Sequence, residues 1–271
     1  MRDFKKNSEF LICIDNDGTV MDTMTLKHKY AIAPAFFEIY DISDPSGKLM
    51  DHWIHTNLYT KNRGVNRFIA LKEMIQYLHI ESIDEMDFFN WVTNSKNLNI
   101  NSLEEEIEKK PNSISLNKAL VWARLVNDKI SKLPDPLIFD NAKSVLDKYA
   151  KDVDFVGVST ANLKALVHDW TIGNVIDDFR TLKSQEDGVK SVIIKKLIEK
   201  GYKKENVLMV GDASGDFVAA KDNDINFFPM IPGDEPNSWI KLDEAINKLI
   251  NHNFDINYQN SLMNEFNKIL N

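Results

Sequence analysis

Residues 15–19 (DNDGT) place two carboxylates two positions apart, directly after an apolar run. Asp15 can attack a phosphorus atom and form an acyl phosphate, which divides one difficult displacement into two easier ones. Asp17 can protonate the leaving oxygen and later deprotonate a water molecule. Gly18 permits the tight turn that such a motif needs. The simpler interpretation of the same residues is a polar turn that ends a strand.

A second acidic motif, residues 210–216 (VGDASGD), follows another apolar run. Asp212 and Asp216 offer the oxygen ligands that a hard cation such as Mg²⁺ prefers. A cation would also offset their repulsion with Asp15 and Asp17, because crowded carboxylates raise each other's pKa and oppose folding. The alternative is a solvated helix N-terminus, where acidic residues are favourable for local reasons.

Hydroxyl and lysine side chains provide further candidates. Ser159 and Thr160 end a third apolar run, where a hydroxyl and the free N–H groups of a following helix can bind phosphate. Ordinary helix capping is the alternative. Lys190 opens an amphipathic segment and can neutralise phosphate charge, while Lys183 competes for that role because it follows a short apolar run. Either lysine can instead be a solvated surface residue.

The elements that position these motifs alternate between strands and helices. Short apolar runs predict strands at residues 10–14, 153–159, 179–182, 206–211 and 225–230. Helical spacing of apolar residues is found at 141–150 and 189–200. This alternation predicts an α/β fold with a doubly wound parallel sheet. Ligands bind at the carboxyl ends of strands in such sheets, so motifs that are far apart in the sequence can meet there.

The segment between the first two strands differs from the rest, because it contains no convincing strand pattern. Its apolar spacing predicts helices at residues 26–40, 66–78, 83–92, 103–109 and 116–133. Two more helices are predicted after Pro232, at residues 238–250 and 258–270. We therefore predict a catalytic core of residues 1–23 and 134–271, and an all-helical cap domain of residues 24–133.

Composition narrows the class of protein. The chain has 271 residues, 43% of them hydrophobic, which is enough for an α/β core and a smaller second domain. The formal net charge of -8 and the lack of a basic cluster argue against nucleic-acid binding. Cys13 is the single cysteine, so no internal disulfide can form. Without a signal-peptide pattern or a long uncharged segment, we expect a cytoplasmic protein that does not bind membranes.

Taken in order, the motifs resemble those of the haloacid dehalogenase superfamily. The likeness covers residues 8–23 and 134–235 and comprises DxDGT, Ser159, Lys190 and GDxxxD, each near a strand end. It implies a Rossmann-like core with a helical cap inserted after the first motif. It also implies a Mg²⁺ ion held by the Asp15 carboxylate, the Asp17 backbone carbonyl and Asp212, with Asp216 nearby.

The second aspartate of the first motif indicates the reaction. Dehalogenases of this superfamily lack it, because a halide leaves without a proton, so Asp17 favours phosphate-ester chemistry. The resemblance therefore implies a Mg²⁺-dependent phosphatase of small phosphorylated metabolites, acting through an aspartyl phosphate at Asp15 as a monomer or homodimer. Two alternatives stay open: a phosphotransferase or sugar-phosphate mutase, and a non-catalytic protein that binds a phosphorylated ligand. The proline that often follows the superfamily's lysine is missing after both Lys183 and Lys190.

Substrate specificity is predicted to come from the helical insertion. Residues 61–67 (KNRGVNR) form a basic segment in an acidic chain, and we hypothesise that Arg63 or Arg67 binds an anionic or hydroxylated part of the substrate. The alternative is a helix capped by Asn66, with both arginines solvated. The predicted phosphate- or substrate-binding residues are Gly18, Thr19, Ser159, Thr160, Lys190, Arg63 and Arg67.

Overall fold

The computed structural model describes residues 4–80 and 85–270, which divide into two compact units. Unit 1 takes in the described parts of Met1–Met24, Tyr59–Arg63 and Asp135–Asn271, and unit 2 those of Thr25–Leu58 and Gly64–Pro134. The chain thus returns to unit 1 at Tyr59–Arg63 before it completes unit 2. The sequence-based boundaries assigned this short segment to the helical domain.

Unit 2 contains only helices as regular structure in its described residues. They are α1 (Met24–Lys27), which starts at the last residue of unit 1, α2 (Ala33–Ile39), α3 (Lys48–Leu58), α4 (Arg67–Tyr77), α5 (Glu85–Asn94), α6 (Ile100–Lys109) and α7 (Ile114–Ile130). The unit has its own core, in which the Phe68 ring packs edge-on against Trp91 and Trp122 at centroid distances of 5.0 and 5.8 Å. A separate core is the mark of a separate domain, although its role as a cap remains a prediction.

Unit 1 is built on a parallel sheet, five-stranded in the described residues. Its strands are β1 (Phe10–Ile14), β2 (Val153–Val158), β3 (Thr181–Lys183), β4 (Val207–Gly211) and β5 (Asn226–Pro229). Their spatial order is β3-β2-β1-β4-β5 with every pair parallel, which confirms the predicted doubly wound α/β class. The order reverses between β1 and β4, where such sheets bind their ligands.

Both faces of the sheet are covered, so β1 is buried along its whole length. Phe10, Ile12 and Ile14 belong to one hydrophobic cluster, while Leu11 and Cys13 belong to another. Successive side chains of a strand point to opposite faces. Two covered faces therefore require the uninterrupted apolar run that the sequence displays.

The helices of unit 1 follow the strands. They are α8 (Ala142–Tyr149), α9 (Leu163–Ile172), α10 (Lys190–Ile198), α11 (Ser214–Asp222), α12 (Glu235–Ile250) and α13 (Ile256–Ile269). Residues of α8, α9 and α12 share the cluster of Ile12 and Ile14, while residues of α10 and α11 share that of Leu11 and Cys13. The motifs that follow β1 and β4 are consequently held between two packed layers.

Three helices were absent from the predicted helical ranges: α3, α9 and α11, the last of which was foreseen only as the alternative interpretation of the second acidic motif. Helix α3 buries only Trp53, Asn57 and Leu58, a stripe too narrow to stand out among its polar residues. Helix α9 buries Leu166, Asp169 and Trp170, while several of its apolar residues are exposed. The expected helix at 26–40 contains a π-helical turn at His28–Ile32. The start of the helix predicted at 83–92 lies outside the described residues.

Membrane insertion was not expected from the sequence. Among the helices of residues 4–80 and 85–270, none is both long and apolar enough to cross a bilayer.

Candidate active site

The DNDGT motif forms a tight loop at the end of β1, beside β4. The N–H of Asp15 donates to the carbonyl oxygen of Val210 at 3.0 Å, which ties the start of the loop to the neighbouring strand. Gly18 has φ +75°, a backbone conformation that favours glycine. A Cβ atom at this position would lie 2.2 Å from Oδ2 of Asp212. Only glycine therefore lets the loop come this close to the second acidic motif.

Three buried carboxylates meet at this edge of the sheet. Ligand oxygens of Asp15, Asp212 and Asp216 all lie within 4.8 Å of one another. Asp15 follows β1, Asp212 follows β4, and Asp216 lies in the first turn of α11, where its Oδ2 accepts from the N–H of Ala213 at 3.2 Å. Each of the three is at most 6% exposed. The adjacent strand ends thus bring together residues almost 200 positions apart.

Among the described residues, two cations contact the buried acidic cluster: Arg63, which is buried, and Lys190, whose side chain is 11% exposed. Nζ of Lys190 lies 2.9 Å from Oδ1 of Asp15 and 2.5 Å from Oδ1 of Asp216. Nε of Arg63 donates to Oδ2 of Asp212 at 2.6 Å, and the Nη2 atom of the same guanidinium lies 3.5 Å from Oε1 of Glu235. Buried charges are tolerated when they are paired in this way. The carboxylates still outnumber the side-chain cations.

Burial dominates the electrostatics of the cluster. It raises the pKa of Asp15 well above its ordinary value, Lys190 opposes the shift, and the charges of Asp216 and Asp212 add to it. Burial likewise raises the pKa of Asp212 against the opposing charge of Arg63. For Lys190, burial lowers the pKa, but the charges of Asp15 and Asp216 outweigh it and the net shift is upward. A positive charge at Lys190 is therefore strongly favoured.

The carboxylate of Asp17 lies apart from these three and has its own hydrogen bonds. Its Oδ1 accepts from the hydroxyl of Thr23 at 2.5 Å and from the Nδ2 amide of Asn16 at 3.3 Å. The side chain is partly exposed, unlike that of Asp15. This separation is compatible with the expectation that Asp17 acts as an acid and base, and that only its backbone carbonyl approaches a metal.

The predicted hydroxyl ligands differ in their surroundings. Ser159 is 2% exposed at the end of β2, and its Oγ accepts from the N–H of Ala161 at 3.1 Å. Thr160 is exposed. The hydroxyl of Thr19 is buried and lies 3.5 Å from Oδ1 of Asp212. The cap of α9 is Asn162 rather than either hydroxyl residue, so helix capping does not explain Ser159 and Thr160.

The basic residues that the sequence analysis considered for phosphate or substrate binding have different partners in the structure. Lys190 contacts the acidic cluster, whereas Lys183 pairs with Asp187 at 3.3 Å. Arg67 belongs to unit 2 and donates to Oδ1 of Asn127 at 2.7 Å. Asn66 caps α4 as the alternative interpretation expected, but the solvated state that this interpretation gave to Arg63 is wrong, because Arg63 is only 4% exposed.

Several residues near the site were missed by the sequence-based prediction. Glu235 contacts Arg63, Thr23 contacts Asp17, and Asp169 and Trp170 of α9 contact Asn16. Thr23 lies in the polar turn after the first motif, which is a weak signal. The other contacts join segments that are far apart in the chain, and local residue patterns do not predict such contacts.

The donor set at the cluster fits a magnesium ion. The candidate side-chain ligands are all carboxylate oxygens, which hard divalent cations prefer, and they are near enough for one ion to contact several of them. The excess of carboxylates over Lys190 and Arg63 leaves residual negative charge for a cation to offset. Asp15, Asp212 and Asp216 are thus the residues that could hold such an ion.

Solved structures with a similar fold align with most of this chain. A haloacid dehalogenase-like family hydrolase from Xanthomonas campestris aligns with a TM-score of 0.52 and 12% identity, over 93% of this chain and 97% of that one. A predicted phosphoglycolate phosphatase from Haemophilus somnus gives 0.53 and 13%, over 83% and 87%. A haloacid dehalogenase-like protein of unknown function from Agrobacterium tumefaciens gives 0.53 and 11%, over 89% and 97%.

No protein-family model matches the chain, and no curated protein matches it in sequence. The likeness to the solved structures therefore concerns the fold. The chain has the fold of the haloacid dehalogenase-like hydrolases, with the order of strands and the inserted helical unit described above.

Proposed function

We propose that this chain is a magnesium-dependent phosphatase that hydrolyses a phosphate monoester of a small metabolite through an aspartyl phosphate at Asp15. One observation carries the proposal: three buried carboxylates and a largely buried lysine converge where β1 and β4 end. Such crowding of like charges opposes folding, and it is therefore found mainly at sites that bind a ligand or perform chemistry. The fold shared with a predicted phosphoglycolate phosphatase supports a phosphorylated small molecule as substrate.

In the first half of the reaction, a carboxylate oxygen of Asp15 attacks the phosphorus atom. The bond between phosphorus and the ester oxygen breaks, and the leaving oxygen takes a proton from Asp17. Lys190, in contact with Asp15, neutralises negative charge on the phosphoryl group as it transfers. Ser159 and the N–H groups near Gly18 orient the phosphoryl oxygens, because phosphoryl transfer depends chiefly on placement and charge neutralisation.

In the second half, a water molecule attacks the phosphorus atom of the aspartyl phosphate. Asp17, now ionised, takes a proton from that water, and the bond between phosphorus and the Asp15 oxygen breaks. Inorganic phosphate leaves, and both aspartates return to their starting states. A magnesium ion held by Asp15, Asp212 and Asp216 would supply the charge stabilisation that the transferring phosphoryl group requires.

The test is the release of inorganic phosphate from p-nitrophenyl phosphate with MgCl₂ or with EDTA. We expect turnover only with MgCl₂, and we expect Asp15→Asn to reduce it at least roughly 1,000-fold, as loss of a catalytic nucleophile does. Asp224→Asn is the matched control, because Asp224 is exposed in unit 1 and pairs only with Lys204 among the contacts described. Undiminished turnover in Asp15→Asn would refute the nucleophile, and an inactive unaltered protein would refute the proposal.

A further inference from the structure

Asn16, the residue between the two aspartates of the first motif, is completely buried and its amide has three partners. Oδ1 accepts from the indole N–H of Trp170, and Nδ2 donates to Oδ2 of Asp169 at 3.1 Å and to Oδ1 of Asp17 at 3.3 Å. Trp170 is also fully buried, on α9. The first motif is therefore connected by side chains to the helix that follows β2.

The chemistry of these partners determines which way the amide faces. An indole N–H can only donate, so the atom of Asn16 that meets it must be the carbonyl oxygen. The NH₂ group must then face the two carboxylates, which accept both of its hydrogens when they are ionised. A reversed amide would place an oxygen against two carboxylates and leave the indole without an acceptor, which is costly in a buried site. Trp170 thus fixes the orientation of Asn16.

This orientation matters for Asp17, because two donors converge on one of its oxygens. Oδ1 of Asp17 receives the hydroxyl of Thr23 as well as the amide of Asn16. An oxygen that faces two donors acts as an acceptor. The two hydrogen bonds thereby hold the carboxyl group of the residue assigned as acid and base in one orientation.

We propose that Asn16 is a positioning residue for proton transfer, held by Trp170 and Asp169 so that it fixes the orientation of the Asp17 carboxyl group. The inference rests on the proposed phosphatase function. When the ester bond breaks, the carboxyl group of Asp17 gives its proton to the leaving oxygen. When water attacks, the same group takes a proton back. Asn16 itself neither gains nor loses a proton in this cycle.

A leaving-group comparison tests this role. p-Nitrophenolate leaves readily without a proton, whereas the alkoxide released from glycerol phosphate needs one. We expect Asn16→Leu to lower kcat/KM for glycerol phosphate at least about tenfold more than for p-nitrophenyl phosphate, since general acid catalysis contributes roughly 10²–10⁴-fold. The ratio kcat/KM is the measurement because it reports the steps up to the aspartyl phosphate, whose hydrolysis is common to both esters. A purely structural loss of active protein would reduce both rates by the same factor.

Trp170→Phe is the second variant, because it keeps an aromatic ring on α9 and removes the indole N–H together with part of the ring system. It too should reduce turnover of the alkyl ester more than that of the aryl ester. Trp239→Phe is the matched control: Trp239 is buried in the same unit and its indole donates to the same loop, but to the carbonyl oxygen of Thr19 at 2.9 Å. Its effect should be equal for the two esters.

The outcomes separate the two proposals. Equal factors for both esters in Asn16→Leu and Trp170→Phe, with p-nitrophenyl phosphate still hydrolysed by the unaltered protein, would overturn the role of Asn16 alone. A leaving-group effect as large in Trp239→Phe would also overturn it. No turnover of either ester by the unaltered protein would overturn the phosphatase and the positioning role together.

Discussion

Charge pairing determines what single substitutions do to the site in unit 1. Arg63 and Lys190 are the two cations that contact the buried carboxylates, and each lies against a different aspartate. The desolvation of a buried ion pair roughly cancels its attraction, so the pair itself adds little stability. The removal of one partner is strongly destabilising, because it leaves the other charge buried without a compensating charge.

We therefore expect Arg63→Met to lower the free energy of unfolding by about 3–5 kcal/mol, the usual cost of breaking a buried pair. Arg63 is 4% exposed and donates to Asp212 at 2.6 Å. Urea unfolding followed by circular dichroism measures the change. Arg67→Met is the matched control, since it removes an arginine four positions along the chain that donates to the side-chain amide of Asn127.

The control should cost no more than about 1 kcal/mol, because Arg67 makes an exposed hydrogen bond to a neutral group. Equal losses in the two arginine variants would contradict the assignment of Arg63 to a buried ion pair. The hypothesis that Arg63 or Arg67 binds substrate is separate from this comparison of stabilities and remains a prediction for both.

The residue types of the site were predictable, whereas their connections were not. Asp15, Asp17, Asp212 and Asp216 stand out because carboxylates directly after apolar strands are unusual and chemically useful. The choice between Lys183 and Lys190 required coordinates, since both follow plausible elements and only geometry brings Lys190 to Asp15. Contacts across long stretches of chain leave no local pattern, and so Glu235 went unrecognised.

Among the elements, helix α9 links the fold to the inferred role of Asn16. Its N-terminus is capped by Asn162, whose side-chain oxygen accepts from the N–H of Ala165 at 2.9 Å. One of the four N–H groups that a helix leaves unpaired at its start is satisfied in this way. Near the other end of helix α9, Asp169 and Trp170 contact Asn16 in the loop that follows β1.

We expect Asn162→Ala to lower the free energy of unfolding by about 0.5–2 kcal/mol, as the loss of a capping side chain usually does. Asn162→Asp keeps the acceptor and should change stability much less, with a small benefit from the helix dipole. Chemical denaturation of both variants provides the measurement. A loss in the aspartate variant as large as that in the alanine variant would show that the cap is not the cause.

Strands were easier to predict than helices in this chain, for a physical reason. A strand covered on both faces must be apolar throughout, so β1 and β4 appear as continuous runs bounded by polar residues. A helix reveals itself through a single apolar stripe. In α9 this stripe is obscured by exposed Leu163, Val167 and Ile172, so the pattern did not identify it.

At the scale of the whole molecule, the sequence predicted a helical insertion but not the return of the chain to unit 1. The basic segment at residues 61–67 stands out within the block between β1 and β2, but nothing in it marks Tyr59–Arg63 as part of unit 1. Arg63 reaches Asp212 because of that return. The assignment of residues to units therefore depended on packing, which single-sequence patterns do not encode.

Binding of a divalent cation to the acidic cluster should stabilise the folded protein as a whole. Ligands that bind only the folded state add RT ln(1 + [L]/Kd), about 2.7 kcal/mol at a concentration 100 times Kd. Each kcal/mol of stabilisation raises the melting temperature of a protein of this size by about 2–4 °C. We therefore expect MgCl₂ to raise the melting temperature by roughly 5–10 °C. NaCl at equal ionic strength should not do so, because the carboxylates are buried and general screening acts on exposed charges. Asp212→Asn should weaken the effect of MgCl₂, whereas equal shifts with both salts would contradict a specific cation site.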